Sequence, residues 1–363
     1  MAINLERRTL LKSTLAAGAL ALGPRYAFGA KTLKVGFVYP SPIGDFGWSY
    51  RHEIGRQQVV EEFGDAVETT FIQNVAEGPD AERTIERLAR SGHDLIFTGS
   101  FGYMNPTISV ARKFPDVKFE NNTGYKTAEN VSAYNARFHE GRSVFGTIAG
   151  HMTESGVVGY IGSFPIPEVI MGINAFTLSA QKIRPDIQVK VVWVNKWFDP
   201  GLEADAAKAL IDGGADIITQ HTNSTSPCQV AEERGAYCFG QDSDMSQFAP
   251  ERHLTGIVNN WGPYYVRRVR DVIENRWTSQ SSWDGLAEGV VQLAPLNSNL
   301  PDDVRAAAEA TKAAIIDGSL HPFEGPITSR EGVEILPAGQ TLSDEEIHKM
   351  NYFVKGITGE LPS

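Results

Sequence analysis

The sequence predicts an α/β protein of two similar Rossmann-like lobes, each built on a parallel sheet with helices on both faces. Three observations carry this reading. From residue 34 onward, short apolar runs of strand character alternate with stretches of helical period, as in parallel sheets whose crossovers are helices. An internal repeat joins the two halves. Leu88-Ala89-Arg90-Ser91-Gly92-His93-Asp94-Leu95-Ile96 matches Leu210-Ile211-Asp212-Gly213-Gly214-Ala215-Asp216-Ile217-Ile218 at an offset of 122. The length of 363 residues, at about 150 per domain, has room for two such lobes.

The elements follow in chain order. Leu33 to Tyr39 reads as a strand. Ala81, Ile85, Leu88 and Ala89 share one helical face, and Asp94 to Phe97 is a short apolar strand between Gly92 and Gly99. Val157 to Ile161 and residues 189–194 are strands of the second half. Leu202, Ala206, Ala209 and Leu210 form a helical stripe, followed by the strand Asp216 to Thr219. Two further matches extend the repeat: Val35-Gly36-Phe37-Val38 with Val158-Gly159-Tyr160-Ile161, and Phe71-Ile72-Gln73-Asn74 with Trp193-Val194-Asn195-Lys196. So long a period is not that of a solenoid. The expected organisation is an export signal at 1–30, an N-terminal lobe at 31–153 and a C-terminal lobe at 154–260. Crossover and C-terminal segments at 261–363 are expected to pack on both lobes.

The first 30 residues read as an address. Arg7 and Arg8 precede a modest apolar run, and Ala27-Phe28-Gly29 or Gly29-Ala30 offers small residues for cleavage. The run after Lys12 is about ten residues, against roughly 20 needed to span a bilayer, so no membrane insertion is expected. Arg7-Arg8-Thr9-Leu10-Leu11-Lys12 resembles a twin-arginine signal, which implies a periplasmic location. The net charge of −11 argues against nucleic acid or an anionic membrane surface as a partner. Cys228 and Cys238 then face an oxidising compartment, and their spacing leaves two states open, a disulfide or two buried thiols.

Ligands of open α/β sheets bind beyond the carboxyl ends of strands, and pockets favour domain interfaces. The loop after the first strand carries Asp45, Phe46 and Trp48. Phe101 and Asn105 follow the strand at 94–98, Trp197 follows the strand at 189–194, and Asp242 and Asp244 follow Gly240. Asn259 and Trp261 follow Val258. Aromatic rings and Asp or Asn side chains thus recur at the expected cleft in both halves. Rings on two faces with polar groups at the edge suit a flat heteroaromatic ligand.

No catalytic pattern stands out. The phosphate loop, the His-Glu-x-x-His zinc pair and the Gly-x-Ser-x-Gly elbow are missing from the sequence. His52-Glu53 reads as helix surface or lobe contact, and His139, His151, His221 and His253 are scattered. No metal and no cofactor are expected. One of Asp242 and Asp244 fits helix capping.

The stretch from about 34 to 265 resembles the BMP family, basic membrane proteins that include purine-nucleoside receptors and serve ABC importers as substrate-binding proteins. Beyond these loops, the resemblance rests on Arg137 to Gly141, Ala149 to Thr153, Gly159 to Gly162, Pro165 to Val169, Ile173 to Phe176 and the tail segments at 342–346 and 351–356. It implies a type I periplasmic-binding-protein fold, lobes joined by crossover segments, and an ABC permease with its ATPase as partners. It also implies that Trp48 and Trp197 sandwich a base, that Asp242 reads its edge, and that Asn105 and Asp45 add polar contacts. The chain departs from the nucleoside-binding members where they carry a ribose-holding lysine. Here stand Val258-Asn259-Asn260-Trp261. A free purine base such as adenine or hypoxanthine is therefore the expected ligand. The alternatives are a nucleoside, flavin or sugar, or the activity of an exported nucleoside hydrolase with Asp242 and Asp244 as acids.

Overall fold

The computed structural model describes residues 32–362, so the expected export signal lies outside the described residues. The first lobe contains β1 (Leu33–Val38), α1 (Trp48–Phe63), β2 (Val67–Ile72), α2 (Pro79–Arg90), β3 (Leu95–Gly99), α3 (Met104–Ala111), β4 (Lys118–Asn122) and β5 (Val131–Ala136). Helix α4 (Phe138–Met152) leads into the second lobe. It contains β6 (Val157–Gly162), α5 (Pro167–Ile183), β7 (Gln188–Trp193), α6 (Pro200–Asp212), β8 (Ile217–His221), α7 (Ser226–Arg234), β9 (Tyr237–Gly240) and β10 (His253–Asn259). The chain then returns through α8 (Gly262–Ile273) and β11 (Ser281–Asp284) to the first sheet, and crosses back to β12 (Val291–Leu293) in the second. Helix α9 (Asp302–Ile316), a short hairpin of β13 (Ile327–Thr328) and β14 (Glu334–Leu336), α10 (Asp344–His348) and β15 (Ile357–Thr358) complete the fold.

The first sheet runs β11-β5-β4-β3-β1-β2 and the second β12-β10-β9-β8-β6-β7-β15. All pairings in the first sheet are parallel, and in the second only β12 on β10 is antiparallel. The orders β2-β1-β3-β4-β5 and β7-β6-β8-β9-β10 are the same wiring used twice, so the sequence repeat is a repeat of topology. Its glycines have a steric cause. A Cβ added at Gly159 on β6 would sit 2.8 Å from Cβ of Leu210 on α6, and one at Gly36 on β1 would sit 3.1 Å from Cδ1 of Leu88 on α2. In each lobe the helix leucine of the repeat closes on the bare strand glycine.

Local sequence explains the helices. In α2, Pro79 opens the first turn, Asp80 and Glu82 follow it, and Arg87 and Arg90 lie in the last turn, all matched to the helix dipole. Its buried residues are the four expected ones, Ala81, Ile85, Leu88 and Ala89. Helix α6 is rotated from the expected stripe: Leu202 is 45% exposed and Ala209 is exposed, while Glu203, Ala206, Ala207 and Leu210 are buried. The cause is Glu203. One carboxylate oxygen accepts from Asp199 N–H (2.9 Å), and the other accepts from Ser224 N–H (3.0 Å) and its hydroxyl (2.7 Å). A fully paired carboxylate occupies a face where apolar residues alone were expected.

Helix α8 is tied to the first lobe by a buried ion pair. Arg268 Nε–H donates to Glu120 Oε1 at 2.6 Å, and Tyr264 OH and Trp277 Nε1–H donate to the same carboxylate. Cys228 and Cys238 are free thiols buried in the second lobe's apolar cluster, the second of the two states the sequence left open. Cys228 Sγ lies 3.9 Å from both Phe239 O and Met245 Sδ, and burial together with the neighbouring Cys228 thiol pushes Cys238 up.

Candidate functional site

A cavity of about 320 Å³ lies between the carboxyl ends of the two sheets. The first lobe lines it with Pro40, Trp48, Ser100, Phe101 and Thr123, which follow β1, β3 and β4 or open α1. The second lobe lines it with Glu168, Trp197, His221, Asn223 and Asp242, from the ends of β6, β7, β8 and β9.

Of the eight residues expected from sequence, Trp48, Phe101, Trp197 and Asp242 meet in this cavity. Trp48 is held in one pose. Its Nε1–H donates to Gly99 O at 2.7 Å, and its ring meets His52, Phe138 and Trp261. Trp197 is half-buried, packs near Phe164 and His221, and donates from Nε1–H to Glu77 Oε1 at 3.2 Å. That bond crosses from the second lobe to the first. So do Gly47 N–H to Ser243 Oγ (3.0 Å) and Arg51 Nε–H to Asn259 O (2.6 Å). A side chain at Gly47 would run into Asn223 O at 2.5 Å, and its φ of 86° already favours glycine.

Asp242 is 1% exposed and holds a φ of 61°, a left-handed conformation that Asp tolerates better than most residues. Its Oδ1 accepts from Gln241 Nε2–H (2.5 Å) and Asn259 Nδ2–H (3.0 Å), and no protein partner for Oδ2 is seen among the described residues. Gln241 in turn accepts from Arg142 of α4, a fully buried guanidinium that also donates to Thr219 Oγ1 and Gln220 O. Burial pushes Asp242 up to about 7. The Arg142 charge and the Gln241 and Asn259 hydrogen bonds pull it down, while Glu168 pushes it further up.

The other four expected residues are placed differently. Asn259 is buried behind Asp242 and orients it rather than lining the cavity. Trp261 is 1% exposed and backs Trp48, with its ring parallel to that of His52 at 5.2 Å. Asn105 is exposed and accepts from Lys126 Nζ at 2.8 Å, because the chain turns into α3 just after Phe101 and carries it away. Asp45 is exposed at the rim, one turn short of the buried Trp48. Asp244 accepts from Ser246 N–H at 2.9 Å, a local turn contact rather than part of an acid pair.

Sequence reading missed Glu168 and His221, both less than a tenth exposed. Glu168 Oε1 lies 3.6 Å from His221 Nε2, and among the described residues neither Glu168 Oε2 nor His221 Nδ1 has a hydrogen-bond partner. Burial holds the His221 imidazole below its usual range, with Glu168 drawing it partly back. The signal was available. The strand-end rule that found Trp197 also reaches these two, but the third strand of this lobe ends at His221 rather than Thr219. The described residues hold no cluster of metal-ligating side chains.

A family model described as an ABC transporter substrate-binding protein, PnrA-like, matches residues 32–322. A purine-binding protein of Brucella abortus is 58% identical over 336 residues, covering 93% of this chain and 96% of its own. A protein of Haloferax volcanii that carries the name of an ABC transporter glucose-binding protein is 36% identical, covering 92% of this chain and 82% of its own. Among solved structures, an ABC transporter solute-binding protein of Aeropyrum pernix superposes with a TM-score of 0.70 at 19% identity, over 87% of this chain and 98% of its own.

Proposed function

The chain belongs to the PnrA-like ABC transporter substrate-binding proteins, and on that premise we propose that it captures an unglycosylated purine base for import. The observation that carries the proposal is that Trp48 of one lobe and Trp197 of the other line one cavity with the buried carboxylate of Asp242. In this reading the two rings stack on opposite faces of the base, and Asp242 Oδ2 accepts from an N–H on its edge. The family is one of solute carriers rather than enzymes, so a nucleoside hydrolase is set aside.

Closure about the crossover segments would bury the base, and the closed form would dock on the permease whose ATPase partner drives transport. Residues 1–30 would deliver the folded protein to the periplasm by the twin-arginine route. No helix among the described residues is long and apolar enough to cross a membrane. A nucleoside is the second reading. A second, more open cleft shares Phe101 with the first and carries Asn135 and Ser282, polar groups a ribose would use.

Calorimetric titration with adenine, hypoxanthine, adenosine, inosine and glucose tests both. Tighter binding of the bases is expected. Tighter binding of the nucleosides overturns the free-base choice, and binding of glucose alone overturns the purine.

A further inference from the structure

We propose that Glu168 and His221 form a second reading station for the base and make the site selective for an aminopurine over an oxopurine. This rests on the purine reading and names the class of purine. Glu168 is the second residue of α5, where a carboxylate is favoured by the helix dipole, and it is 7% exposed. His221 ends β8 and is 4% exposed. Both line the cavity, and each has a buried polar atom without a hydrogen-bond partner among the described residues, Glu168 Oε2 and His221 Nδ1.

The chemistry of these atoms follows from their neighbours. Glu168 Oε1 faces His221 Nε2 at 3.6 Å, too long for a formed hydrogen bond but close enough to draw the ring proton to that nitrogen. A neutral ring protonated at Nε2 leaves Nδ1 as an acceptor. Asp242 Oδ2 is a further acceptor. The donors of the wall are fewer. Ser100 Oγ–H is committed to Glu77 Oε1 at 2.5 Å, which leaves the Thr123 hydroxyl and the Asn223 amide.

The cavity is therefore acceptor-rich, and its ligand must bring donors. An unpartnered buried carboxylate oxygen is costly, and a ligand N–H placed on it removes that cost. Adenine offers an exocyclic amine and a ring N–H at the glycosidic position. Hypoxanthine keeps a ring N–H at N1 but replaces the amine with a carbonyl oxygen, so it brings fewer donors than adenine and sets an acceptor where adenine sets a donor. A nucleoside has lost the glycosidic N–H to its sugar. The same three acceptors thus favour the amine and the free base together.

The test titrates the folded protein with adenine, hypoxanthine and unsubstituted purine, then repeats the set with Glu168→Gln. Wild type is expected to prefer adenine by about tenfold or more. Glu168→Gln, which turns one acceptor into a donor at constant shape, is expected to erase or invert that preference. Hypoxanthine or unsubstituted purine binding as tightly as adenine overturns the proposal while leaving the purine reading intact. So does a Glu168→Gln variant that weakens all three ligands equally, the mark of a structural role. Should that variant fail to fold, the wild-type ratio alone decides. If none of the three ligands binds, the purine reading falls, and this proposal with it.

Discussion

Replacing Trp197 separates stacking from lobe closure, because its ring and its N–H do different things. The ring lines the cavity, and Nε1–H donates across the lobes to Glu77 at 3.2 Å. Loss of one stacked face costs about 1–3 kcal/mol. The bond to Glu77 is to a carboxylate but half-exposed, so about 1 kcal/mol is a fair figure for it. Trp197→Ala should then weaken binding by about 2–4 kcal/mol, roughly 30- to 700-fold in Kd. Trp197→Phe keeps a ring and removes the donor, and should cost about fivefold. The assay is calorimetric titration with adenine at pH 8, with thermal unfolding of the unliganded variants as a control. Trp197 is half-buried and packs against the core cluster, so those unfolding temperatures should fall by only a few degrees. Trp48 is the poorer choice. It is packed on Trp261 and His52, and its removal would cost about 3–5 kcal/mol of stability along with any binding. A Trp197→Ala variant that binds within about twofold of wild type, or Ala and Phe variants that lose the same amount, would refute the sandwich.

The pH dependence follows from Asp242, whose carboxyl is held at about 7 by burial. An edge N–H needs the carboxylate, so affinity should rise with pH up to about 7 and level off above it, by at most about tenfold per unit; a flat profile between pH 5 and 8 would remove Asp242 from the contact. Unliganded stability should move the opposite way. A carboxyl raised above its unfolded value stabilises fully below about pH 4, and that contribution is lost as pH rises through about 7. Denaturant titration should therefore show a decline over this window of at most about 1.4 kcal/mol per unit from this group. For export, changing Arg7 and Arg8 to Lys should leave precursor in the cytoplasm; normal export of that variant, followed by fractionation, would reject the twin-arginine route.

Sequence alone carried the architecture because the signals for it are local. Gly36 and Gly159 with Leu88 and Leu210 are a helix-to-strand contact written twice, and a search for repeats finds it. The same is true of the apolar strands, which are buried on both faces and therefore read as continuous runs. The candidate site was legible where its residues are large and lie just past strand ends, as Trp48, Phe101 and Trp197 do. Reading failed where long-range pairing decides. Glu203 was left out of the expected helix face because Ser224, which pairs one of its oxygens, lies 21 positions on and meets it only in the fold. Glu168 and His221 lie 53 positions apart, and neither stands out in its own segment. Asn105 failed for the reverse reason. A carry-over from the resemblance placed it by loop, but its position in α3 turns it to solvent beside Lys126.

The two lobes divide the work unequally. The acceptors Glu168, His221 and Asp242 all belong to the second lobe, whereas the first adds Trp48, Phe101 and hydroxyl groups. A base would accordingly settle first on the second lobe, where its edge is read, and the first lobe would close over its face. A ligand shifts such a closure only by binding the closed form better than the open one. A contact that could supply that difference lies at Asn259. Its side chain donates to Asp242, and its main-chain oxygen accepts from Arg51, three residues past Trp48 on α1. One residue thus touches both the group proposed to read the base edge and the helix that carries the proposed covering ring. On the proposed reading, a base that fixes Asp242 would fix Asn259 in the pose that Arg51 meets, so recognition of the edge and closure over the face would favour each other.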